Sequence, residues 1–237
     1  MKKLFTAIRQ GNMEIVKELL QKKPDLIFSV AAPPPQKDNG QSPLQVAIKS
    51  SNPEIADYLL GIGADVNFME DDSVGGTRMP ALHDAINATL TFFSYHKPEK
   101  SDVYFELLKK MMESGADVHK CDSSGFNAWH HSLHQANRML DNMHVNIETA
   151  EKNGMPCTPE QAKRELELAQ ARVEELLSLL IGHGSDIHGK AAGNVGETPY
   201  SGLSAHEYYI MDISPYKPSI PDRHSIKPIL LKLLKYC

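Results

Sequence analysis

A helix-ending pentad recurs three times along the chain, as Gly63-Ala64-Asp65-Val66-Asn67, Gly115-Ala116-Asp117-Val118-His119 and Gly184-Ser185-Asp186-Ile187-His188. Gly115 follows the apolar run Leu107-Leu108 to Met111-Met112, and a residue without a Cβ can take the left-handed backbone shape of a helix C-cap. A helix-opening hexad alternates with the pentad: Ser42-Pro43-Leu44-Gln45-Val46-Ala47, Pro80-Ala81-Leu82-His83-Asp84-Ala85 and Asn127-Ala128-Trp129-His130-His131-Ser132. Asn127 can offer its side-chain oxygen to the free amides of the helix it opens. The chain therefore reads helix, turn-rich connection, helix, repeatedly. Each apolar stripe is too small to bury itself, so successive units must stack.

These interleaved segments resemble the ankyrin repeat, whose unit opens with T-P-L-H-x-A and has a period of about 33 residues. Ala7-Ile8-Arg9-Gln10-Gly11-Asn12-Met13-Glu14-Ile15-Val16-Lys17-Glu18-Leu19-Leu20 is similar to the stretch that runs from the first helix of such a unit into the second. The resemblance implies an all-α fold, an ankyrin-repeat solenoid of helix–turn–helix units with finger loops. It implies a single domain over 1–237, with repeats near 3–28, 39–68, 78–119, 123–188 and a capping repeat at 196–237.

In the first pair, Leu4, Ala7 and Ile8 share one helical face, and Ile15, Val16, Leu19 and Leu20 share another. Pro24 stops the second helix. Ala31-Ala32-Pro33-Pro34-Pro35 falls in the first finger, where three prolines favour extended polyproline II and read as a stiff surface loop. In the next repeat Asn52-Pro53-Glu54 is a helix start, with Asn52 as N-cap, and Ile55, Tyr58, Leu59 and Leu60 form its buried stripe. The finger after it sets Phe68 and Met69 beside Glu70-Asp71-Asp72, which reads as exposed apolar residues next to acids or as a solvated loop.

Two repeats are too long. Asp65 and Asp117 lie 52 residues apart and Asp117 and Asp186 lie 69 apart, against a period of about 33. The first surplus falls between the two helices at 88–100, where Thr91-Phe92-Phe93-Ser94-Tyr95-His96 is expected to pack down, Pro98 to end the insertion and Ser101-Asp102 to cap the next helix. The second carries two seams. Leu133, Ala136, Leu140, Met143, Ile147 and Ala150 alternate steps of three and four, and so do Ala162, Leu166, Ala169, Val173, Leu176 and Leu180. Between them Thr158-Pro159-Glu160-Gln161 is a capping box with Pro at the first helical position. The reading is a projecting antiparallel helical hairpin, an arm over 139–172 of about 20–25 Å.

In the last repeat, residues 202–209 open a helix, and Ile226, Ile229, Leu230, Leu233 and Leu234 give its partner a buried face. Lys227, Lys232 and Lys235 fall on the solvent side, and Pro215, Pro218 and Pro221 mark the loop between the two helices.

The net charge of −5 provides no electrostatic footprint for nucleic acid. No segment approaches the ~20 apolar residues of a membrane span, and the apolar N-terminal run stops at Arg9, short of a signal peptide. Three widely spaced cysteines, Cys121, Cys157 and Cys237, suit a reducing compartment better than a disulfide framework. A cytoplasmic location is the expectation, with export as an effector left open.

Catalytic patterns are missing. His206-Glu207-Tyr208-Tyr209-Ile210 has Ile where a zinc-protease helix needs its second His, and Gly202-Leu203-Ser204-Ala205-His206 lacks the last Gly of a nucleophile elbow. Gly61-Ile62-Gly63 follows a helix, so it is no dinucleotide loop. His130 and His134 share a helical face, yet His83 and His130 occupy the slot where the resemblance implies a structural His that bonds backbone and braces adjacent repeats. No metal site, cofactor or enzymatic activity is expected. Trp129 is read as core.

The resemblance implies a protein-binding scaffold using the fingers and the exposed face of the first helices, with another protein as partner. Its variable surface positions map to Arg9, Gln10, Lys49, Ser50, Asn87, His134 and Gln135 on the helices and to Phe68, Met69, Asp71, Asp72, Ser123, Ser124 and Phe126 in the fingers. The alternative is a structural or oligomerisation role for the arm 139–172, with a dimer through paired arms in place of a monomer.

Overall fold

The structure is a computed structural model that describes residues 1–72, 74–153, 158–189, 204–210 and 226–233, apart from the side chains at 145–153, 159, 205, 206 and 208. Its helices are α1 (Lys2–Arg9), α2 (Met13–Lys22), α3 (Pro43–Lys49), α4 (Pro53–Gly61), α5 (Ala81–Ser94), α6 (Pro98–Glu113), α7 (Ala128–Asn153), α8 (Pro159–Gly182), α9 (Ala205–Ile210) and α10 (Lys227–Leu233). They stack as pairs. The odd helices form one row, with α3 between α1 and α5 and α7 between α5 and α9. In the even row α6 packs on α4 and α8 on α6, and α10 follows on α8. One apolar core runs from Leu4 to Leu230 through every pair, which is the layered burial that a stack of half-buried stripes must reach.

The punctuation works as its chemistry dictates. Gly63, Gly115 and Gly184 follow their helices at φ of +93°, +88° and +83°, where an L side chain is strained. Behind them Asp65, Asp117 and Asp186 each accept the amide two residues on, at 2.9, 2.8 and 3.0 Å. Thr158 and Gln161 complete the capping box of α8, and Ser42 and Gln45 form a second one at α3. Asn127 Oδ1 accepts the His130 amide at 3.1 Å.

The fingers close through backbone hydrogen bonds. Ala31 N–H donates to Gln41 O at 2.8 Å, Ala81 N–H to Phe68 O at 3.0 Å and Ala128 N–H to Val118 O at 3.2 Å. The second finger is stitched to the third, because Ser123 N–H donates to Arg78 O and Arg78 N–H to Ser123 Oγ, both at 3.0 Å.

Both insertions lengthen helices. α5 and α6 have 14 and 16 residues, and α7 and α8 have 26 and 24, against 7 in α3. All seam side chains within the described residues are buried: Leu133, Ala136, Leu140 and Met143 on α7 face Ala162, Leu166, Ala169, Val173, Leu176 and Leu180 on α8. Those of Ile147 and Ala150 lie outside them. The base of the arm does not stand free. Glu165 meets His96 at 2.5 Å, Arg172 meets Asp102 at 2.5 Å, and the Arg172 guanidinium sits 4.2 Å above the Phe105 ring. The first insertion thus buttresses the second.

Several local expectations are corrected. Pro98 begins α6 at its first position and does not end the insertion, which places Ser101 inside the helix, fully buried, where it caps nothing. Asn52 makes no side-chain cap, and its amide instead donates to Ile8 O at 2.8 Å, tying the second pair to the first. The chain bends at 33–35 into a 3₁₀ turn, Gln36–Asp38, in place of a continuous polyproline run. Ile15 is exposed on the outer side of α2. Phe93 packs down and Phe92 stacks on Tyr104 at 5.4 Å, but Tyr95 is exposed. Trp129 is core, as read. In the last pair Ile226, Ile229, Leu230 and Tyr209 are buried, whereas Pro215, Pro218, Pro221, Leu234 and Lys235 lie outside the described residues.

Candidate binding surface and the joints beneath it

Aligning the helix starts makes Arg9, Lys49, Asn87 and His134 equivalent, each five residues after Leu4, Leu44, Leu82 and Trp129 respectively. The structure gives the first three the same task, because each reaches across to the next finger or helix. Arg9 Nη1 meets Asp38 Oδ2 at 2.7 Å. Lys49 Nζ lies 3.5 Å from Glu70 Oε1 and 3.3 Å from Asp84 Oδ1. Asn87 Oδ1 accepts His131 Nε2–H at 3.0 Å. The acids are buried, with Asp38, Glu70, Asp84 and Asp122 all 8% exposed or less. These are the joints of the stack, and they hold the finger bases against the first helices.

The slot of the structural His is filled by Gln45, His83 and His130 in turn. Gln45 Nε2 donates to Met79 O at 2.9 Å and to Asp84 at 3.1 Å, and His130 Nε2 lies 3.1 Å from Gly189 O, so both brace the following unit. Burial lowers the His130 pKa, partly opposed by the Gly189 carbonyl. His83 departs from this pattern. Neither of its ring nitrogens has a hydrogen-bond partner, and its ring stacks on His131 at 4.5 Å. Burial drives the His83 pKa well below its ordinary value, and that of His131 down to about 4, so both rings are neutral near pH 7. Burial raises the Asp122 carboxyl against the backbone amides that hold it. Burial also carries Asp84 up to about 7, with Lys49 opposing it.

Above the joints, Gln10, Asp71, Asp72, Ser123 and His134 are exposed, and Ser50, Ser124, Phe126 and Gln135 are half-buried. Asp72 pairs with Arg78 at the second finger tip. The Phe126 ring stacks on His134 at 6.4 Å, forming an aromatic rim beside the third finger. Phe68 and Met69 turn partly inward and are not the exposed apolar tips the sequence suggested. Phe68 lines a cavity of about 190 Å³ with Ile27, Phe28, Leu44 and Ala64. Sequence reasoning found the four equivalent helix positions but missed the inward use of the first three. The missing signal was a buried polar partner in each following segment, at Asp38, Glu70 or His131.

The fold and its surface define a class: a helical-repeat solenoid with finger loops. Residues 2–70 match the family model for ankyrin repeats (three copies), and the helix pairs beyond them continue the same stack. Ankyrin repeats are generally protein-interaction modules, and the family is typically non-catalytic. No curated protein matches the chain. No helix among the described residues is long and apolar enough to cross a membrane.

Proposed function

We propose that the chain is a non-catalytic protein-binding scaffold whose contact surface is the strip of finger tips and odd-helix residues from Gln10 through Asp71, Asp72 and Ser123 to Phe126, His134 and Gln135. The observation that carries this reading is the contrast between the two levels of each finger. The bases are anchored by buried polar contacts, and the tips above them face solvent. A surface held in place before contact loses little conformational entropy on binding. Its acidic second finger and aromatic third finger suit a partner that presents a basic side chain beside an apolar one. The reading takes 1–237 as one domain acting in a reducing compartment, on the three widely spaced cysteines.

The test is a pull-down from native extract with the intact chain and with Asp71→Lys, Asp72→Lys, Phe126→Ala and His134→Ala combined, folding being checked by circular dichroism. A protein retained by the first and lost by the second supports the strip. A partner held equally by both sinks it and moves the contact to another face.

A second reading, self-association through the arm, draws on Leu168, which is 46% exposed on α8. The seam itself is consumed inside the hairpin, so the scaffold reading takes precedence. A sedimentation measurement showing a dimer that Leu168→Glu dissolves would reverse that order.

A further inference from the structure

Where α5, the third finger and α7 meet, three buried side chains converge at distances no hydrogen bond explains. His83 Nδ1 lies 4.0 Å and His131 Nδ1 3.8 Å from the same oxygen, Asp122 Oδ2. The donor atoms of all three residues lie within 4.8 Å of one another. Asp122 Oδ1 is already occupied by the amides of Ser124 at 2.8 Å and Phe126 at 3.0 Å. His131 spends its Nε2–H on Asn87 Oδ1, which leaves Nδ1 a bare lone pair facing the carboxylate. His83 is 0% exposed with both nitrogens unpartnered. A buried carboxylate oxygen turned toward unprotonated nitrogen is costly unless something positive lies between them.

The spacing says what fits. A bridging water bonded at about 2.8 Å in tetrahedral geometry would hold its partners roughly 4.6 Å apart. An ion bonded at about 2.1 Å holds them at about 3.4 Å when tetrahedral and at most about 4.2 Å. The two nitrogen–carboxylate separations, 3.8 and 4.0 Å, fall in the second range, while the three donors as a set lie within 4.8 Å and must draw closer around an ion.

We propose that His83, Asp122 and His131 bind one divalent first-row transition-metal ion that fastens the third helix pair to the fourth. Two neutral imidazoles and one carboxylate favour such an ion over Mg²⁺ or Ca²⁺, which prefer all-oxygen shells. Asn87 is the outer partner that sets the His131 tautomer, as metal-ligating histidines require. The two rings lie nearly parallel, 16° apart, so their lone pairs run side by side. Binding turns one ring about its Cβ–Cγ bond until the lone pairs converge, and draws the donors together. The three ligands come from segments up to 48 residues apart, so no local motif announces them.

The experiment uses the full chain, stripped with chelator and titrated with Zn²⁺ and Co²⁺. The expected result is one tight equivalent, a visible d–d band from Co²⁺, and a rise in melting temperature on the order of 5–10 °C at Zn²⁺ 100-fold above its Kd. His83→Gln and His131→Gln abolish all three, and His119→Gln, on the surface, leaves them unchanged. No uptake by the intact chain, or uptake that survives both ligand substitutions, overturns the proposal. Should a ligand variant fail to fold, X-ray absorption on the Zn²⁺-loaded intact chain decides. A shell containing two imidazoles supports the site, and one with fewer removes it.

Discussion

Asp84 Oδ1 lies 3.3 Å from Lys49 Nζ across the joint between the second and third helix pairs, with Glu70 Oε1 3.5 Å from the same ammonium. One partly exposed lysine serves two buried acids. Burial therefore wins at Asp84, and its carboxyl titrates near 7 in place of the ordinary 3.8. Between those values the folded chain keeps a proton that the unfolded chain has released. This contribution to stability is complete below about pH 4 and is lost as pH rises toward 7. Asp84→Asn removes the titration. Chemical denaturation at pH 4 and pH 7.5 should show the intact chain losing stability relative to the variant by up to about 4 kcal/mol.

Arg9 and Asp38 test the joint one step earlier. Asp38 has a side chain only 4% exposed, and Arg9, at 24%, is its charged partner. Arg9→Met leaves a buried carboxylate uncompensated and should cost about 1–3 kcal/mol, less than a fully buried pair because water reaches the arginine. Arg9→Met with Asp38→Leu should recover most of that loss. A double variant no more stable than the single one would show that the pair is not the source of the effect.

Asn52 reaches Ile8 O at 2.8 Å, and that bond spans two helix pairs. Asn52→Ala should cost about 1–2 kcal/mol. In a stack where each unit contacts only its neighbours the loss should be local. Hydrogen exchange should quicken in α1 and α2 and stay unchanged in α7 and α8.

The arm separates burial from exposure on one helix. Leu176 is 0% exposed and Leu168 is 46% exposed on α8. Leu176→Ala should cost about 2–5 kcal/mol through the cavity it leaves. Leu168→Ala should stay within about 0.5 kcal/mol in the monomer. Thermal melts of the two variants make the comparison.

Local chemistry was legible in the sequence wherever a residue acts on its own backbone. Gly63, Gly115 and Gly184, the Thr158–Gln161 box and the two seams need only their own neighbours, so spacing gave them away. The joints were not legible. Arg9, Lys49 and Asn87 stand where a repeat usually presents surface, and only folding brings Asp38, Glu70 or His131 to them. Asn52 failed as a cap for the same reason: the Ile8 carbonyl, 44 residues earlier, competes for its amide. Pro98 was misjudged because a proline ends one helix or begins another with equal ease, and the turn before it decides which.

The joints also differ chemically from one another, and this limits how the array can change its length. Gln45 and Lys49 face Asp84 and Glu70, whereas His83 and Asn87 face His131 and Asp122. A tandem copy of residues 68–119, the third unit with the finger before it, would set His83 and Asn87 against a second Asp84 and Glu70, two buried acids with no lysine between them. The units are thus not interchangeable parts. Each carries an address for the neighbour it accepts, and the order of the stack is written into its seams.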